Sequence, residues 1–117
     1  MDNEKITQLE SVNDGQTIHL FYDEMAGLYA AFGQSAFYTT AVTEPLISYS
    51  MAVGMPVALL GRAHILYMRQ SLKKMEHTQK SYYQFKMRQP IGLSGYDKWA
   101  KKAKSDSERM PGKKQNT

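Results

Sequence analysis

Seven side chains in the second half of the chain have the types and spacing to meet a polyanion. They are Arg62, Arg69, Lys73, Lys74, Lys86 and Arg88, with Tyr82 among them. A guanidinium forks onto phosphate oxygens, an ammonium neutralises them as a point charge, and a tyrosine ring offers a flat face on which a base stacks. Arg62, Arg69 and Lys73 recur at helical spacing, which puts them along one side of a helix. Lys80 and Tyr83 extend the same basic and aromatic stretch. The plain alternative is a solvated helix face, a cross-strand tyrosine pair and a charged tail. No other group of residues carries a comparable chemical pattern. His19, His64 and His77 are the only histidines, and they lack the i, i+4 spacing that sets two metal ligands on one helical face. Asp23 and Glu24 are adjacent, so on a helix they diverge and serve its positive N-terminal end. Ser35, Ser48, Ser50 and Ser71 have no base and orienting group beside them in the sequence. The glycines follow no phosphate-loop spacing. We therefore expect no catalytic residue, no metal and no cofactor.

Charge is divided unevenly. Residues 1–61 hold seven acids and one base, whereas residues 62–117 hold fourteen Lys and Arg against four acids, within an overall net charge of +4. A basic face that meets nucleic acid is one reading of this division; an acidic half neutralising a basic half is the other. The 117 residues suit one small domain, and a 42% hydrophobic fraction is ordinary for a globular chain. The absence of cysteine excludes a disulfide scaffold, a thiolate metal site and a cysteine nucleophile. Met1-Asp-Asn-Glu-Lys5 is polar and reads as no signal peptide. Between Met25 and Gly61 the only charge is Glu44, but Gly and Pro interrupt every apolar run well short of a bilayer span. A cytoplasmic location without membrane contact is the expectation.

The elements that must position these residues begin at Thr17. Ile18, Leu20 and Tyr22 alternate with His19 and Phe21, which predicts a strand over 16–22. Met25, Leu28, Tyr29, Phe32 and Ala36 then fall three and four apart, which predicts a helix directly after it. Strands are predicted over 46–53 and 55–60, followed by a helix from Ala63 to about His77. Residues 81–87 alternate again, as in a strand that could be a sheet edge. A last helix presents Tyr96, Trp99, Ala100 and Ala103. Residues 1–15 form a polar segment with a possible helical turn through Ile6, Leu9 and Val12, and Asn13-Asp14-Gly15 is a turn signal. A single domain is expected over 16–104 and a disordered basic tail over 105–117. The class is α/β (α+β): a small mixed sheet packed with two to three helices.

The stretch Met25-Ala-Gly-Leu-Tyr-Ala-Ala-Phe-Gly-Gln-Ser-Ala36 resembles the N-terminal mismatch-recognition domain of the MutS family, in which an apolar strand leads into Met-Gly-Asp-Phe-Tyr-Glu-hydrophobic-Phe and ends in Asp-Ala. Met25, Tyr29, Phe32 and Ala36 match. Met55-Pro-Val-Ala-Leu-Leu-Gly-Arg-Ala-His-Ile-Leu-Tyr67 looks similar to a later segment of that domain, and the likeness covers about residues 16–75. It implies a stand-alone domain of that fold, one that associates with nucleic acid. The family's base-stacking Phe and base-contacting Glu correspond here to Leu28 and Ala30, so mismatch reading itself does not carry over. The expected partner is DNA or RNA, held through backbone phosphates by the seven residues above. A module that binds a protein partner or itself is the alternative, motivated by the tyrosine-bearing strand at 81–87 and the many methionines.

Overall fold

The computed structural model describes residues 3–79 and 82–109. Helix α1 spans Asn3–Ser11, followed by strands β1 (Thr17–Asp23) and β2 (Leu28–Phe32), helix α2 (Gly33–Thr39), and strands β3 (Leu46–Ser50) and β4 (Met55–Leu60). Helix α3 (Arg62–Ser71), strands β5 (Lys73–Gln79) and β6 (Tyr82–Lys86), and helix α4 (Tyr96–Arg109) complete the described residues. The strands form one sheet in the order β3-β4-β2-β1-β6-β5. It is built from three hairpins. The first, β1–β2, lies in the centre, and the others join it through β4 and β6.

The class is α+β, as expected. All described strand pairings are antiparallel, so the sheet is not the mixed one expected. The difference begins after β1, where a helix was expected. Asp23 stops the strand by accepting hydrogen bonds at Oδ1 from the Met25 and Ala26 N–H groups, at 3.0 and 3.3 Å. Gly27 takes a left-handed φ of +68°, and its N–H donates to the Asp23 carbonyl at 2.8 Å. These bonds close a turn and send Leu28–Phe32 back along β1. The three-and-four spacing from Met25 to Ala36 fits a helix, but the pairing of β2 with both β1 and β4 overrides it. Met25, the expected start of the helical stripe, is 99% exposed.

A second correction concerns α3, which ends at Ser71 and not near His77. Leu72 is extended (φ −123°, ψ 159°), and the chain continues as β5, with Lys73 opposite Lys86 and Met75 opposite Gln84. Strand β6 consequently lies between β1 and β5, so it is not the sheet edge; among the described residues β3 and β5 are outermost. At the C-terminus α4 runs to Arg109, past the expected domain limit at Lys104. The tail expected to be disordered thus begins within a helix, and from Met110 onward it lies outside the described residues.

Strand alternation divides the core in two. Ile18, Leu20, Ala31, Ala58, Leu60 and Phe85 face the side covered by α2, α3 and α4, where Ala36, Tyr38, Met68 and Trp99 pack on them. Phe21, Ala30, Phe32, Val57 and Tyr82 face the other side, beneath Ile6 and Leu9 of α1. Fully burying a side chain the size of Leu20 or Phe85 stabilises the fold by about 1.5–3 kcal/mol. Trp99 and Tyr96 dock α4 by packing on Phe37, with ring centroids 5.2 and 5.6 Å away.

Candidate functional site

The β1–β2 register sets Tyr22 opposite Tyr29. Their ring centroids are 4.8 Å apart and tilted by 49°. Tyr83 on β6 points to the same side of the sheet and brings its ring edge to Tyr29 at 5.7 Å. Helix α3 begins after β4 and passes beside this patch. Arg62, Ile65, Leu66 and Arg69 follow at i, i+3, i+4 and i+7, so they share one helical face. Together with Tyr22, Tyr29 and the bare Gly27 of the hairpin turn they line a cleft of about 440 Å³. The size is that of a small-ligand site.

Both guanidiniums are exposed, whereas the tyrosine rings are half-buried. The Tyr29 phenol is pushed above its ordinary value, first by burial and then by the Tyr83 and Tyr22 phenols, while Arg62 and Arg69 oppose the shift. The adjacent acid does not cancel their charge within the cleft. Asp23 points to the opposite face by strand alternation and is held in the turn. The cleft offers two forked cations beside aromatic rings, and its lining holds no carboxylate and no histidine. It is equipped to bind a planar, anionic group.

The structure brings together Arg62 and Arg69 and separates the other expected residues from them. Lys73 and Lys74 stand on β5 instead of continuing the helical row of Arg62 and Arg69. Lys86 is half-buried, pairs across the sheet with Thr17, and faces away from the cleft; its charge lowers the pKa of Asp14. Arg88 is exposed elsewhere, donating from Nε to the Ser71 carbonyl at 3.2 Å beside a second hollow of about 460 Å³. Tyr82 is the clearest correction. It is only 4% exposed, stacks on His19 at 5.9 Å and is bonded to His19 Nδ1 at 2.6 Å, so it offers no face to a base. Tyr22 and Tyr29 were not among the expected site residues. Their signal was the five-residue interval Asp23-Glu-Met-Ala-Gly27, a turn that sets one ring opposite the other.

The buried Glu10 and His19 lie outside the cleft. Glu10 of α1 accepts the Ser35 N–H at 3.0 Å and the Ser35 hydroxyl at 2.5 Å, and it caps the start of α2 in this way. Asn13 Nδ2 adds a long bond at 3.4 Å. Burial outweighs these donors and pushes Glu10 up to about 7. His19 is pushed below its ordinary value by burial, against the opposing charge of Asp14. Gln84 Nε2 donates to the Tyr82 oxygen at 2.5 Å, which leaves the Tyr82 hydroxyl proton for His19 Nδ1. His64 accepts the Gly61 N–H at Nδ1, so its Nε2 is the donor to the Glu44 carbonyl, at 3.1 Å. Each group has a structural role.

Among the described residues no set of three or more His, Cys, Asp or Glu side chains is placed to hold a metal ion. No helix among them is long and apolar enough to cross a membrane. Comparison with protein-family models, with curated proteins and with solved structures finds no match for the chain. The functional reading therefore rests on the cleft and its chemistry.

Proposed function

We propose that the protein is a non-enzymatic, cytoplasmic domain that associates with nucleic acid through the cleft between the β1–β2 hairpin and α3. The observation that carries this reading is the convergence of Arg62 and Arg69 with Tyr22 and Tyr29. Guanidinium forks match phosphate oxygens, and phenol rings stack on bases whatever their sequence. The excess of fourteen basic over four acidic residues in 62–117 adds a long-range attraction to the same polyanion. The resemblance to the MutS N-terminal domain supports the reading at Tyr29, which is both one of the matched residues and part of the cleft lining.

Fluorescence anisotropy with labelled oligonucleotides at rising salt tests it. Each phosphate contact on a single strand contributes about 0.7 to the slope of log affinity against log salt. The double variant R62Q/R69Q is therefore expected to bind more weakly, with a slope shallower by about 1.4. Unchanged affinity and slope would remove the role assigned to α3. A second reading, association with a protein or another copy of the chain, draws on outermost β3 and its flank, where Leu46 is 65% and Met51 75% exposed. Light scattering on the same samples favours it if mass rises with concentration while no oligonucleotide binds.

A further inference from the structure

We infer that the cleft receives one unpaired nucleobase, stacked on Tyr22 and Tyr29, while Arg62 and Arg69 hold phosphates on either side of it. The ligand is then single-stranded nucleic acid and not a duplex, an inference that rests on the nucleic-acid reading above. Three features of the cleft carry it. The first is depth. The guanidiniums are exposed, whereas the rings of Tyr22 and Tyr29 are half-buried, with Tyr83 set against Tyr29, so the cations lie nearer to solvent than the rings. A duplex keeps its bases stacked inside and presents phosphates outermost, so it reaches the arginines without touching the rings. A strand with an unpaired base satisfies both.

The second feature is spacing. Arg62 and Arg69 are separated by seven residues, about 10.5 Å along α3 at the helical rise. That interval leaves room for a nucleotide between the two cations, over Ile65 and Leu66, which line the cleft between them. The hairpin contributes to the same opening. Gly27 carries no side chain, and a Cβ there would have no atom within 4 Å, so the turn backbone borders open space. A volume of about 440 Å³ suits one nucleotide unit and not a run of bases.

The third feature is what the lining lacks. Tyr22, Gly27, Tyr29, Arg62, Ile65, Leu66 and Arg69 include no carboxylate and no amide side chain. Those are the groups that pair with the edges of cytosine and adenine. Recognition by ring faces and phosphates is tolerant of sequence, because every base has a π-face. DNA and RNA strands share this chemistry, and only a contact to the 2′-hydroxyl would separate them.

The full-length chain is tested with labelled oligo-dT, oligo-rU and a duplex of mixed sequence, with a mononucleotide as competitor. Two variants are compared, Tyr29→Phe, which keeps the ring, and Tyr29→Leu, which keeps apolar volume beside the core. Tyr22→Leu, at the end of the hairpin, repeats the test at a position less committed to packing. A stacked base is worth about 1–3 kcal/mol, so loss of the ring should weaken single-strand binding roughly 5- to 150-fold. Tyr29→Phe should stay close to the native protein, the mononucleotide should compete poorly, and duplex binding should be weak and indifferent to Tyr29→Leu. Native single-strand affinity in both leucine variants, with binding still lost in R62Q/R69Q, would overturn the stacked base and leave the phosphate reading standing. A mononucleotide that binds as tightly as an oligonucleotide would likewise overturn the strand. Absence of binding to every nucleic acid at low salt would end both readings. A difference between the dT and rU arms decides which strand is preferred.

Discussion

Glu10 shows how much one ionisable side chain contributes to this fold. Its carboxylate joins α1 to the first turn of α2 through Ser35, and burial raises its pKa from 4.5 to about 7. A carboxyl whose folded pKa lies above its unfolded value favours the folded state in its protonated form. Its contribution is therefore fully present below 4.5 and is lost as pH rises to about 7. The full loss is on the order of 3 kcal/mol. His19 works in the opposite sense. Its depressed pKa means that folding opposes its protonation, so stability falls when pH drops below the ordinary histidine value. The two effects overlap, and a difference between proteins separates them. Thermal melts of native protein and E10Q across pH 4.5 to 7 are expected to show the variant gaining relative stability as pH rises. A pH-independent difference would mean that Glu10 does not titrate in that range. Neither role was legible in the sequence, where Glu10 is one of seven acids in the acidic half. Burial of that carboxylate follows from where α1 lies, and local composition does not report it.

At the scale of elements, the decisive one is the β1–β2 hairpin. Periodicity alone makes 25–36 a helix, and the residues do obey that period. The same residues also make a short apolar run, Leu28-Tyr-Ala-Ala-Phe32, which fits a strand buried on both faces. Pairing of Leu28, Tyr29 and Ala30 with β1 and of Tyr29 to Phe32 with β4 gives this strand partners on both sides and settles the choice in favour of sheet. The helix is postponed to Gly33, which turns the chain from β2 into α2 with a left-handed φ of +58°. A Cβ there would meet Met55 Sδ at 3.0 Å and Glu10 Cγ at 3.5 Å. G33A is therefore expected to destabilise the protein by about 1–3 kcal/mol, through backbone strain and crowding together. A urea titration with an unchanged midpoint would show that Met55 and the turn absorb the methyl group. The early end of α3 has a similar origin. Residues 73–79 pair with β6, whereas a longer helix would leave the outer side of β6 unpaired.

For the whole molecule, the unequal charge of the two halves is folded into one sheet. Strand β1, from the acidic half, lies directly against β6, from the basic half, and Asp14 feels the charge of Lys86. Self-neutralisation thus accounts for part of the pattern, while Arg62 and Arg69 stay exposed beside the tyrosines. Because the cleft is built from β1, β2 and α3, a chain ending at Arg109 should retain binding despite losing Lys113 and Lys114, with a salt slope changed by less than the roughly 0.7 that one phosphate contact on a single strand contributes. Binding abolished by that truncation would move the activity to the terminal lysines. The sequence by itself determined the α+β class, the strands β1, β4 and β6, the amphipathic start of α3, and the docking residues of α4. Each is a local period or a terminus signal written in neighbouring residues. It also marked Arg62 and Arg69 as companions, because seven residues are close to two helical turns. Only the tertiary structure decided that β2 is a strand, that Tyr82 is buried, and that Tyr22 and Tyr29 meet those arginines. These outcomes depend on which strand edges pair and which helix crosses which face. That choice is made by burial over the whole sheet, where residues far apart in the chain become neighbours.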